Sequence, residues 1–335
     1  MRRVLLALAA LLAAISAAAA DPVGDFYKGR ILYLLIGLPV GGSYDLEARL
    51  VARHLGAHLS GNPTVVPQNM IGGGGIAMAN YLAEVAPQDG SYIGMMANTL
   101  VISQVMGVQA IRYDAAKFHW LGSIMPGTHS TMVVWRTTGI TSLEEARRRE
   151  LTAGASTKGA FVYTMPALLN EFFGTRFKII TGYQGINAGY VAMERGELDG
   201  NAATWAEFKS LHPDYIAEKK VNVLVQNAPR IAELPDVPTL QELARSDDDR
   251  RTIELLLSGD RIGRPLAAAP GTPPDRVAAL RAAFDAAMKD AKFRHDAEQS
   301  QTEIDPIPGE QMQSLVAQVL STPRPFVERA RKIIE

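Results

Sequence analysis

A chain of 335 residues, 47% hydrophobic and 21% charged, is long enough for two domains and apolar enough to bury a core in each. Its formal net charge is −1, and removing Arg2 and Arg3 takes 34 basic residues to 32 against 35 acidic ones; neither balance suits nucleic acid or an anionic membrane surface as a partner. The absence of cysteine excludes disulfides, thiol catalysis and cysteine-ligated metals, so folding rests on core burial.

In chain order, the first twenty residues have the layout of a secretory signal. Arg2 and Arg3 form a positive start, residues 4–20 are apolar apart from Ser16, and Ala18-Ala19-Ala20 offers a small-residue cleavage site before Asp21. A membrane anchor is the alternative, but seventeen apolar residues sit at the bottom of the spanning range. Cleavage after Ala20 would leave an exported chain of 315 of the 335 residues, with no later apolar run long enough to span a bilayer.

The mature sequence alternates strands and helices. Residues 31–36 (ILYLLI) form a continuous apolar run of the kind a buried parallel strand requires. A helix then starts near Ser43, with Leu46, Leu50, Val51, Leu55 and Leu59 on one face and Glu47, Arg49, Arg53, His54 and His58 on a polar, solvated one. Residues 64–66, the glycine run 72–75 and a helix through Tyr81 and Leu82 make the next unit, followed by a strand over 92–96. This order predicts a doubly wound parallel sheet with ligands at the carboxyl ends of its strands.

The pattern then restarts. Strands are expected at 131–135, 151–155, 178–181 and 221–226, with helices over 161–173 and 186–195, where Gly196 reads as a C-cap leading into a strand. Asp247-Asp248-Asp249 beside Arg250-Arg251 reads as a solvated loop, and Thr272-Pro273-Pro274-Asp275 as a helix start with Thr272 as the cap. The fold class is therefore α/β, two doubly wound lobes joined by a hinge in a clamshell. Residues 21–127 and 232–335 are assigned to lobe 1 and 128–231 to lobe 2, with hinge crossings near 125–130 and 228–235.

Three segments place glycines or small residues between a strand and a helix: 40–43, 72–75 and 156–159. Unpaired N–H groups and the dipole at a helix start suit a carboxylate or phosphate. Plain turn geometry is the other reading of each. None has the P-loop pattern, and no dinucleotide fingerprint follows a strand, so no cofactor is expected. Enzyme constellations are weak: Gly154-Ala155-Ser156-Thr157-Lys158-Gly159 misplaces the second glycine of a nucleophile elbow. His54 and His58 have metal-ligand spacing but no glutamate after His54, so no metal site is expected.

Six segments, in order, resemble the periplasmic solute receptors of tripartite tricarboxylate transporters, of the Bug type. They are GLPVGGSYD (37–45), VVPQNMIGGGG (65–75), APQDGSYIGMM (86–96), GYQGINAGYVAMERGELDG (182–200), ELPDVPTLQEL (233–243) and APGTPPDRVAAL (269–280). Together they span nearly all of the mature chain.

The resemblance implies a monomeric, non-enzymatic clamshell that closes on a small organic acid and delivers it to integral-membrane transporter subunits. By position it implies Gly41, Gly42 and Ser43 as carboxylate donors, with Tyr44 beside them and Asn98 and Thr99 on the same rim. From the second lobe Ser156, Thr157 and Lys158 would close, with Tyr183 and Trp205 nearby. The family often has Ser-Pro-Gly where this chain has Ser156-Thr157-Lys158, so Lys158 either adds a charged contact or points to solvent. Two further functions use similar features: a ligand-presenting module for a sensor kinase, and a periplasmic serine hydrolase at Ser156, which lacks a histidine nearby in sequence.

Overall fold

The structure, a computed structural model, describes residues 21–125, 129–156, 158, 160–183 and 186–334. The expected signal at 1–20 lies outside them, as does Thr157. Among the described residues, eleven strands form two sheets. The first runs in the order β11 (Ile307–Pro308), β4 (His119–Ser123), β10 (Pro265–Ala268), β3 (Tyr92–Met95), β1 (Ile31–Ile36), β2 (Thr64–Asn69). The second runs β7 (Arg176–Thr181), β6 (Glu150–Ala155), β8 (Gly200–Thr204), β5 (Ser130–Trp135), β9 (Val221–Gln226). The two-lobed α/β class expected from the element order is the observed one.

β1 reads as a continuous apolar run because it pairs in parallel with β2 on one side and β3 on the other. Leu32, Leu34 and Ile36 project into one core with Leu50, Val51 and Leu55 of the helix Ser43–Leu55, while Leu35 enters a second core with Met78 and Leu82 of the helix Ile76–Glu84. The sheets are mixed rather than purely parallel. β10 is antiparallel to both β3 and β4, and β5 is antiparallel to both β8 and β9. β10 is the return strand from the second sheet, and its slot between β3 and β4 is filled from the distant sequence.

Gly122 in β4 has φ +149, and a Cβ there would stand 2.2 Å from the ring of Phe284. Only a glycine lets the helix Pro274–Lys289 lie this close to the sheet.

Three readings of the sequence are corrected. The helix 43–55 is covered on two sides, by its own sheet and by the C-terminal helices, so its polar face is not simply solvated. His54 is buried, with Nε2 2.9 Å from Asp296 and its ring edge-on to Phe293, and Glu47 is buried while Leu46 is exposed. Residues 247–251 open a helix, Asp247–Leu256, capped by the Ser246 hydroxyl; three acids in its first turn complement the helix dipole, which a loop reading overlooks. The helix after Thr272 begins at Pro274, with Pro273 in the cap position.

The chain leaves the first sheet after Ser123, enters the second at Ser130 and leaves it at Gln226. The crossings lie side by side, with the Asn227 N–H donating to the Ser130 carbonyl at 2.8 Å. The helix 247–256 and the last helix, Arg324–Ile334, pack against each other and on the helix Phe161–Phe173 of the second sheet. Arg329 ties the group, 2.7 Å from Asp249 and 4.6 Å above the Phe172 ring.

Candidate functional site

The loop after β1 is built to present the start of the helix 43–55. Gly41 turns the chain at φ +80, and its N–H donates to Asp45 Oδ2 at 3.0 Å. Asp45 also accepts from Arg49 and, at 2.9 Å, from Asn69 at the end of β2. Asn69 donates a second bond to the Leu38 carbonyl. These bonds, from Arg49 first and then Gly41 and Asn69, hold the Asp45 carboxyl at about 2, well below the usual carboxylate range.

A lowered folded pKa stabilises the fold above the unfolded value near 3.9, and that contribution disappears as pH falls through about 2. Asp45→Asn is therefore expected to cost about 1–2 kcal/mol at neutral pH, with the difference from wild type shrinking to nothing below about pH 2. Urea denaturation at both pH values checks it, and a cost that persists unchanged in acid would contradict it.

Past this loop the side chains converge on one point. Arg264, at the end of the segment before β10, donates from Nε to Glu47 at 2.7 Å, approaches Ser43 Oγ at 3.4 Å and stacks 4.1 Å over the Tyr44 ring. Arg264 and Glu47 are both about nine-tenths buried. The Tyr44 hydroxyl accepts from the Asn98 N–H at 3.0 Å and donates to the Gly263 carbonyl at 3.3 Å; burial pushes its phenol upward despite the neighbouring guanidinium. Asn98 Nδ2 donates to the Gly259 carbonyl at 3.1 Å.

The short helix Ser258–Ile262 is thereby fixed to the first lobe. Its Asp260 reaches the crossings, accepting from the Ser130 N–H at 3.3 Å and from Asn227 Nδ2 at 2.8 Å.

Two spaces adjoin this cluster. An inner chamber of about 360 Å³ is lined by Ser43, Tyr44, Asn98 and Thr99 together with Thr204, Asp260 and Arg264 and an apolar wall. An outer cleft of about 650 Å³ is lined by Gly41, Leu46, Glu47, Lys209 and Leu211 among others. Ser43, Thr204 and Arg264 line both, and we call the place where the two spaces share these residues the neck. Thr204 ends β8 of the second sheet, so the neck takes residues from both lobes. Hydroxyls, a guanidinium and the first-turn N–H groups of a helix suit an anionic or strongly polar head.

Of the residues singled out in the sequence, Ser43, Tyr44, Asn98 and Thr99 surround the inner chamber, and Gly41 and Ser43 border the outer cleft. The Gly42 N–H is directed back to the Pro39 carbonyl at 3.4 Å. Ser156, Lys158, Tyr183 and Trp205 are not among the residues lining either space. The Ser156 carbonyl accepts from the Gly182 N–H, and Lys158 is exposed. Tyr183 lies against Gly154. Trp205 is buried, its indole N–H donating to Glu233 and its ring packed near Phe208.

The run 72–75 has positive φ at all four glycines and borders neither space, which is turn geometry. Arg264, Glu47, Asp260 and Thr204 were not foreseen; the only trace in sequence is a charged residue directly before the apolar strand 265–268. Among the described residues no group of three or more His, Asp or Glu side chains could hold a metal ion, and no helix is long and apolar enough to cross a membrane.

This is a two-lobed α/β fold of the periplasmic binding-protein type, with the candidate site lined from both sheets. No family model matches the chain. It is 27% identical over 296 residues to the UPF0065 protein in the gbd 5' region of Cupriavidus necator, covering 86% of this chain and 84% of that one. A TctC solute-binding protein from Polaromonas has the same fold, with a TM-score of 0.69 and 20% identity over 90% of this chain and 99% of that one. So does MatC from Rhodopseudomonas palustris, with malate bound, at a TM-score of 0.62 and 20% identity over 92% and 99% of the two chains. The chain thus resembles the TctC and Bug solute receptors in fold as it does in its motifs.

Proposed function

We propose that the protein is a periplasmic receptor that captures a small carboxylate between its lobes and delivers it to a membrane transporter of the tripartite tricarboxylate type. In this reading residues 21–127 and 232–335 form one lobe and 128–231 the other, with helices 247–256 and 324–334 reaching across to the second sheet. The observation that carries it is the neck, where Ser43 and Arg264 of one lobe face the same space as Thr204 of the other. The malate held by MatC is a carboxylate of the kind such a neck suits.

Micromolar capture requires about 8 kcal/mol. Charge-assisted hydrogen bonds at about 1.5–3 kcal/mol each supply much of that in a cleft poor in water, less the costs of association. Because only the closed form engages both lobes, ligand shifts the population toward closure, and a transporter can read that shape. The proteins of matching fold are binding proteins, and capture of this kind needs no covalent step.

The test is a thermal-shift screen of residues 21–335 against mono-, di- and tricarboxylates, sugars and amines. A ligand at about 100 times its Kd adds about 2.7 kcal/mol of stability, so one or more acids are expected to raise Tm by several degrees. A shift from sugars or amines with silence across all acids would overturn the carboxylate reading.

A further inference from the structure

We propose that the inner chamber selects the body of the ligand, and that the acid taken here is a monocarboxylate with an elongated apolar tail. The head sits at the neck formed by Ser43, Thr204 and Arg264, and the tail fills the chamber. This rests on the carboxylate reading above and narrows it to a chemical class.

The chamber wall carries the argument. Ile102, Met106, Phe161, Leu256, Leu257 and Ile334 converge on it from four separate stretches of chain. Ile102 and Met106 come from the end of the first α/β unit and Phe161 from the start of a helix on the second sheet. Leu256 and Leu257 end the bridging helix, and Ile334 ends the last one. Ile102, Met106, Phe161 and Ile334 are only partly buried. The lobes therefore hold apolar surface facing a space of about 360 Å³, a size that encloses small molecules. Covering that surface with a tail gains hydrophobic free energy on every closure, which a short polar acid would forgo.

The charges on the wall point the same way. Among the described residues lining the chamber, the charged side chains are Asp260 and Arg264, and Arg264 belongs to the neck. A second carboxylate pushed past the neck would face the Asp260 carboxylate and an apolar wall. Thr99, Ser103 and Thr164 contribute hydroxyls, which can hydrogen-bond a substituent but carry no charge to offset an anion. Burying such a group without a cation is costly, whereas each methylene buried there is worth about threefold to fourfold in affinity.

The experiment is calorimetric titration of residues 21–335 with straight-chain monocarboxylates from acetate to decanoate and with the α,ω-dicarboxylates of matching length. Kd is expected to fall about threefold to fourfold per methylene until the chamber is full, with the heat-capacity change growing more negative along the series. Each dicarboxylate should bind at least about tenfold more weakly than its monocarboxylate partner. Met106→Trp, which fills the chamber, should flatten the dependence of affinity on chain length. Ile102→Phe gives the same readout should the larger change lower Tm. Dicarboxylates binding as tightly as monocarboxylates, or an affinity indifferent to length, would overturn the chamber proposal and leave the carboxylate receptor intact. No binding by any acid would instead overturn the functional reading beneath it.

Discussion

Arg264→Ala is expected to weaken carboxylate binding at least about 100-fold. The guanidinium lines both spaces at the neck, and losing its charge-assisted bonds to an anion costs about 1.5–3 kcal/mol. Glu47, 2.7 Å from Arg264 in wild type, would be left as a buried acid beside the ligand and would add repulsion. Together these exceed the 2.7 kcal/mol or so that a factor of 100 represents.

The same change is expected to destabilise the unliganded protein by about 3–5 kcal/mol, because it strands one partner of a buried ion pair. Removing both charges separates the two effects. Arg264→Met combined with Glu47→Leu should recover most of the stability, since apolar residues of similar volume can replace a buried pair at little cost. Binding should not return. Calorimetric titration and urea denaturation of the single and double variants check this, and full affinity in either variant would remove Arg264 from the site.

Asp260→Ala is expected to cost about 2–6 kcal/mol of stability and to weaken binding as well. Asp260 accepts from the Ser130 N–H where the chain enters the second sheet and from Asn227 where it leaves. Both donors are buried, and each one orphaned costs about 1–3 kcal/mol. The segment carrying Asp260 is tied to the first lobe through Asn98 and Tyr44, so this carboxylate spans the hinge. Loosening it should lower the affinity for every monocarboxylate by about the same factor, whatever the length of its tail. Both donors go to a single carboxylate oxygen, so Asp260→Asn, which keeps one acceptor oxygen, should recover most of the lost stability. A urea midpoint for Asp260→Ala within about 0.5 kcal/mol of wild type would show that the crossings hold without it.

What could be read ahead of the structure followed local rules. The strand 31–36 declared itself because a parallel strand covered on both faces must be apolar throughout, and the glycine turns because a short loop before a helix needs positive φ. β10 (PLAA) was missed, and β8 (GNAAT) was legible only as an unplaced strand after the Gly196 cap, for a related reason. Their small residues give no branched or alternating signal, and they are strands because long-range partners occupy both their edges.

The helix 43–55 shows the same division at the scale of single residues. Its periodicity placed Glu47 and His54 on a polar face, yet both are buried, because helices from 274–299 cover His54 and Arg264 from the segment before β10 pairs with Glu47. By itself the sequence determined the α/β class and the position of the first-loop helix with Ser43 at its start, since these depend on neighbours within a few turns of chain; Tyr44, Asn98 and Thr99, also around the inner chamber, were offered by the resemblance of its motifs. The tertiary structure alone decided that Arg264, Glu47, Asp260 and Thr204 meet at one place. Glu47 and Arg264 stand 217 positions apart, and only the pairing of β10 between β3 and β4 brings them within hydrogen-bonding reach, with Thr204 of the second sheet facing the same space.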